Sequence, residues 1–294
     1  MIYFDRRDAL RLRSTMTILE FTAIVAVGSF LAGFLGAITG LGGGVVIVPL
    51  LTIALGVDIR YAIGASLVSV IATSSGAAAA YVKEGFTNVR IGSFLEIATS
   101  AGAIAGAYLA TRLPVAAIGI TFGVVLLYSA YHSLRPLPEH SDATQPPDRW
   151  ATVLRLNGTY PTERGTVSYS VRAVPLGASM MAVAGVLSGL LGIGSGAVKV
   201  LAMDQAMRVP FKVSTTTSNF MIGVTAAASA GIYFSRGYVD PGLAMPVMLG
   251  VSAGSILGAR FLAGASTRLL RKIFSAVIFI LAIEMIYNSL EGRF

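Results

Sequence analysis

Two clusters of glycine lie in the middle of long apolar runs: Gly40, Gly42, Gly43 and Gly44 in the first half of the chain, and Gly192, Gly194 and Gly196, with Ser195 between the last two, in the second. A glycine leaves its amide uncovered. At the start of a helix such an amide presents both its N–H and the positive end of the helix dipole to whatever lies in front of it. That chemistry suits a small anion, which needs several short-range donors and partial positive charge but must still be released. Hydroxyl and amide side chains accompany both clusters: Thr39 beside the first, Ser66 in the next apolar segment, and Thr217, Ser218 and Asn219 in the corresponding segment of the second half. One full positive charge, Lys199, follows Gly196 by three residues, and Glu96 is the only charge between Ile91 and Ala110. An ionisable group inside an apolar span faces a partner or a cavity, so Lys199 is a candidate anion attractor and Glu96 a candidate proton carrier. The competing account is packing. Small residues let apolar helices approach closely, serine and threonine bond back to their own helix carbonyls, Lys199 can snorkel or pair structurally, and Glu96 can pair with Arg90.

Other chemistry is poorly served. Cysteine is absent and histidine occurs twice, so no thiolate chemistry, metal cluster or nucleophile with a base is expected, and neither is an enzyme, a metal or a cofactor. The glycines do not fit a dinucleotide fingerprint, and Lys199 is followed by Val200 where a phosphate-binding loop needs Ser or Thr. The formal charge of +8 is spread over short loops between apolar segments, which argues against nucleic acid as a partner. Arg260 and Glu284 lie near segment ends and read as structural, His132 as interfacial, and Tyr81 and Tyr233 as aromatic anchors at the membrane boundary.

These residues must be positioned by membrane helices. Of 294 residues, 55% are hydrophobic and 12% charged, and the mean hydropathy is +0.76. This is the composition of an all-α polytopic membrane protein, multi-pass in a cell membrane, inner or plasma, with the lipid bilayer as its surroundings. Residues 21 to 57 hold no charge. As one helix they would be roughly 55 Å long against a hydrocarbon thickness of roughly 30 Å, so the run must break, and the glycines mark where. The segments 44 to 55 and 197 to 207, each after a glycine cluster, are too short to span and read as the second limbs of broken helices. Eight ordinary spans remain, or ten if both limbs of each broken helix cross. Residues 1–16 form a basic lead, 17–134 a first transmembrane repeat, 135–171 a soluble linker with the alternation of a β-hairpin, and 172–294 a second repeat.

The repeat is visible when the sequence is laid on itself with an offset of 152. Gly40 falls on Gly192, Gly42 on Gly194, Gly44 on Gly196, Ser66 on Ser218, Thr73 on Thr225, Tyr81 on Tyr233 and Gly102 on Gly254, without a gap. Two pseudo-symmetric halves of about four spans, each opening with an interrupted helix, are the pattern of a secondary transporter whose substrate sits between them; a channel can share it. With eight crossings, the N-terminus, 83–90, the linker, 236–240 and the C-terminus share one side with 13 Lys or Arg against seven opposite, which favours a cytoplasmic N-terminus. With ten, the halves become inverted.

Three stretches carry a family resemblance over about residues 20 to 290. They are Gly36-Ala-Ile-Thr-Gly-Leu-Gly-Gly-Gly-Val-Val-Ile-Val-Pro49, Leu187-Ser-Gly-Leu-Leu-Gly-Ile-Gly-Ser-Gly-Ala-Val-Lys199, and the Ser/Thr-rich run from Ser214 to Ser229. The chain resembles the TauE/SafE family of membrane proteins. The resemblance implies export of sulfite or small organosulfonates; the paired broken helices suggest that a small anionic substrate is held between them and crosses by alternating access, with an anion channel, or a carrier of another small carboxylate or oxyanion, as the alternative. Proton coupling and pairing of two copies of the chain into a homodimer stay open. Ser195 departs from the second-half glycine triplet usual in the family.

Overall fold

A computed structural model describes residues 17–39, 43–83, 85–134, 148–162, 165–262 and 267–292. Eight long helices are present among them: α1 (Ile18–Thr39), α3 (Ile59–Lys83), α4 (Val89–Ala110), α5 (Val115–Leu134), α7 (Val174–Leu191), α9 (Phe211–Ser235), α10 (Pro241–Leu262) and α11 (Thr267–Leu290). Two short limbs, α2 (Gly44–Pro49) and α8 (Gly196–Leu201), each widen into a π-type turn, Leu50–Ala54 and Ala202–Ala206. Pro49 stands at the first π turn, yet Leu201 occupies the equivalent place before the second. The same turn forms without the ring, so packing rather than a missing amide sets it. Runs in α1, α4, α7 and α10 are long and apolar enough to cross a membrane. Their outward faces are apolar too, with Ile97, Leu109, Leu176, Val183 and Leu249 exposed, as expected where lipid is the solvent.

Each short limb folds back along the helix before it. A Cβ on Gly28 of α1 would meet the Leu50 side chain at 3.0 Å, and one on Gly43 would lie 3.4 Å from the Cα of Gly33. In the second half a Cβ on Gly177 of α7 would overlap the Met207 side chain, just past the π turn. Chain direction therefore reverses at each glycine cluster.

Long-range packing exchanges the two halves. Gly33 and Gly254 bring α1 against α10, facing the backbone of Val251 and of Phe30, while Gly185 and Gly102 bring α7 against α4, facing the backbone of Thr99 and of Ala182. Adding 152 to the first-half residue and subtracting it from the second-half residue turns the contacts Gly102 with Ala182 and Gly33 with Val251 into the contacts Gly254 with Phe30 and Gly185 with Thr99. Glycine is needed there because the helices meet backbone to backbone.

A small module of one short helix and a β-hairpin lies at one end. Residues Arg149–Val153 form a short helix, α6, and β1 (Gly158–Thr162) pairs antiparallel with β2 (Gly165–Tyr169). The module is fastened to α4 by Asn88, whose side chain caps the helix by accepting from Ile91 N at 3.0 Å. The same amide donates to Leu156 O at 3.1 Å and to the Tyr169 hydroxyl at 2.8 Å. Burial pushes the Tyr169 phenol above its ordinary value, so it stays neutral as a partner at physiological pH. Changing Asn88 to alanine removes a helix cap and both module bonds. Stability is expected to fall by about 1–2 kcal/mol, read as a lower thermal midpoint, with faster protease cleavage between residues 148 and 171.

At the opposite end Arg60 donates to Leu113 O at 2.8 Å and lies over the Tyr238 ring, which meets Tyr61 edge-on. This groups the 236–240 turn with the 55–61 and 111–114 turns. The eight-crossing loop count groups 236–240 with the linker, whereas the 236–240 turn packs with the 55–61 and 111–114 turns.

Candidate functional site

The two interrupted helices meet. Ser66 of α3 donates its hydroxyl to Gly192 O at 2.7 Å, tying the first half to the carbonyl end of α7. A Cβ on Gly44 would lie 2.8 Å from that hydroxyl and 3.0 Å from the Gly192 oxygen, so Gly44 must be glycine for this approach. On the second-half side Ser218 donates to Gly196 O at 3.3 Å, and Tyr233 donates to Gly189 O at 3.0 Å. The last carbonyls of a helix have no partner of their own, and here hydroxyls from α3 and α9 supply one.

The backbone between α7 and α8 is left-handed at Gly192 (φ +68°), Gly194 (φ +69°) and Ser195 (φ +45°). At Ser195 that conformation disfavours any residue but glycine by about 1–2 kcal/mol. Its hydroxyl is buried without a hydrogen-bond partner. A hydroxyl held in that way just before a helix start is a donor in waiting.

Lys199 reaches this point from inside α8. A Cβ on Gly194 or Gly196 would meet Ile222 at 3.0 and 2.9 Å, which sets that residue of α9 level with the break. Thr225 lies one turn further along α9, and the Lys199 ammonium donates to the Thr225 hydroxyl at 2.5 Å. Long side chains on a helix lean toward its N-terminus, and this one extends beyond the glycine break. The Thr225 hydroxyl in turn donates to Glu96 Oε1 at 2.8 Å, and Ser100 donates to the same oxygen at 2.8 Å. Lys199 is 0% exposed and Glu96 8%, so a charged pair sits wholly inside the protein, bridged by one hydroxyl. Burying two charges is costly unless they neutralise each other, and the two act on one another electrostatically.

The pair has no counterpart in the other half. The offset of 152 places Ile47, Thr73 and Met248 where Lys199, Thr225 and Glu96 would recur. Only the threonine is kept, and Thr73 donates to Ser69 O of its own helix.

Most residues expected from sequence gather here: Gly43, Gly44, Ser66, Gly192, Gly194, Ser195, Gly196, Lys199, Ser218 and, through Thr225, Glu96. Thr217 is elsewhere. Its hydroxyl accepts the backbone N–H of Asn88 at 3.0 Å and fixes the turn before α4. Asn219 is half-buried on α9, about 100° around the helix from Ser218. Gly40, Gly42 and the Thr39 side chain lie outside the described residues. Glu96 takes Lys199 as its partner rather than Arg90, which is exposed at the start of α4. Tyr233, read as a membrane-boundary anchor, is instead fully buried against the end of α7. Thr225, which recurs with Thr73 and shares a helix face with Ser218 by its spacing of seven, joins the two charged residues.

The comparison that decides the family covers both broken helices: residues 25–285 match the family described as Sulfite exporter TauE/SafE. The chain belongs to the TauE/SafE family. This TauE/SafE protein is 27% identical over 285 residues to the probable membrane transporter protein YunE of Bacillus subtilis, covering 92% of this chain and 99% of that one. It is 28% identical over 239 residues to the probable membrane transporter protein YdhB of the same organism, covering 81% and 89%. A probable membrane transporter protein of Xylella fastidiosa is 28% identical over 273 residues, covering 90% and 95%. No solved structure matches this TauE/SafE protein.

Proposed function

We propose that this chain is a secondary transporter in the cell membrane that exports small sulfur-containing anions such as sulfite or organosulfonates. The anion is held where the glycine-broken helices of the two halves meet, and it crosses by alternating access as one half moves against the other. The observation that carries this reading is the junction itself, where Ser66 reaches across to Gly192 and Gly44 packs against both. Membership of a sulfite exporter family and three relatives named as probable membrane transporters support it.

The repeats take 17–134 and 172–294, after a lead of 1–16 and around a linker of 135–171, and they are inverted. Because α2 and α8 fold back, each half has five segments and ends on the side opposite to its start. The parallel packing of α1 on α10 and of α7 on α4 fits that arrangement, as does the separation of the Asn88 and Tyr238 loop groups.

Uptake of labelled sulfite into proteoliposomes tests the reading. Gly194→Leu places a branched side chain at φ +69° and against Ile222. The expected loss of flux is about tenfold or more with membrane insertion intact. Unchanged flux in that variant removes the broken helix from the route. Flux that rises without saturation and never drives accumulation identifies a channel instead.

A further inference from the structure

We infer that Glu96 and the transported anion are alternative counter-ions for Lys199, so that each anion bound is accompanied by one proton taken up on Glu96. This rests on the anion-transport reading and adds its coupling.

The Lys199 ammonium puts a positive charge at a fully buried place, and such a place requires a negative partner. Glu96 is that partner, yet it does not touch the ammonium; Thr225 stands between them, 2.5 Å from one and 2.8 Å from the other. Only one carboxylate oxygen is engaged, because Glu96 Oε2 is buried with no hydrogen-bond partner. A structural Lys–carboxylate pair of best geometry would meet directly. This one is loosely closed.

Few charged residues lie on the neighbouring elements. On the helices packed against α4, α7 bears no charged residue and α9 bears only Lys212, exposed at its first turn. The α8 limb supplies Lys199 itself and Asp204, which is buried in the π turn five residues further along. An oxyanion arriving at the break can take the ammonium's remaining hydrogens, together with the unpartnered Ser195 hydroxyl. The site would then hold two negative groups against one positive. A proton from solvent on Glu96 restores the balance: one negative charge and one positive charge enter together, and the net charge of the site is unchanged. Thr225 is the positioning residue, since its hydroxyl can stay on Glu96 Oε1 or turn back to Met221 O, 3.0 Å away, as the carboxylate changes state. Because Ile47 and Met248 replace the charged pair in the other half, the exchange occurs once per chain.

The test is calorimetric titration of the purified protein with methanesulfonate, which is fully ionised near neutral pH, in two buffers of different ionisation heat. The expected result is uptake of about one proton per anion bound. Glu96→Gln is expected to bind about tenfold more tightly with no proton uptake, since the internal competitor is gone, and Lys199→Met to bind at least about tenfold more weakly. Thr225→Val should reduce proton uptake while keeping an anion site, and Thr225→Ser should restore it. Binding by the wild-type protein without proton uptake, or proton uptake that survives in Glu96→Gln, overturns the exchange and leaves the anion reading standing. No binding of methanesulfonate or sulfite to the wild-type protein overturns both. Should Glu96→Gln fail to fold, the wild-type proton count alone decides.

Discussion

Lys199→Met is expected to destabilise the protein by about 3–5 kcal/mol, and adding Glu96→Gln to the same chain is expected to restore most of the loss. Methionine nearly matches the aliphatic stem of lysine, so the void left is small. What remains is Glu96, 8% exposed, with its charge no longer opposed and one oxygen without a partner. Removing one member of a buried charged pair costs about 3–5 kcal/mol for that reason, whereas replacing both members by neutral groups of similar shape is often close to neutral. The measurement is a double-mutant cycle on unfolding in mixed detergent. Four chains of equal stability, or effects that simply add, would show that Lys199 and Glu96 do not oppose each other in the folded protein.

Gly185→Leu is the second large effect, and it concerns assembly of the halves. A Cβ at Gly185 would overlap the carbonyl of Thr99. That atom belongs to the backbone of α4 and cannot rotate away, so the helices must separate. Overpacking a core typically costs about 1–3 kcal/mol, and separation here also withdraws Glu96 from Thr225, since α4 carries it. Loss of folded protein in detergent extracts is expected, with Gly33→Leu, at the equivalent crossing over Val251, behaving alike. A well-folded Gly185→Leu protein with normal anion binding would mean that α4 and α7 need not approach so closely. Gly231, around which a Cβ would meet nothing, provides the control in which the same type of substitution is tolerated.

Much of this architecture is legible in the residues. Gly40 to Gly44 and Gly192 to Gly196 announce breaks because a charge-free run of that length cannot be one helix, and the offset of 152 announces a repeat. Less legible was the use made of each hydroxyl. Thr217 and Ser218 are neighbours in sequence, but Thr217 anchors the turn before α4 while Ser218 bonds Gly196. Helical periodicity places them on different faces without saying what each face meets. Ser69, Thr73 and Ser74 bond to carbonyls of their own helix, which no spacing rule could tell from lining a pocket.

What the sequence by itself determined is local: apolar runs that require a bilayer, glycines that interrupt them, a repeated order of segments, and the isolation of Lys199 and Glu96 in apolar surroundings. Each follows from the cost of placing one residue type in one medium. What only the tertiary structure decided is partnership. Lys199 and Glu96 are 103 positions apart in a 294-residue chain, and Thr225 joins them because backbone-to-backbone packing of α4 on α7 sets that carboxylate beside α9. A buried charge states in the sequence that it needs a partner, but hydrogen bonds reach only about 3 Å, and which group stands that close is settled by how the helices cross.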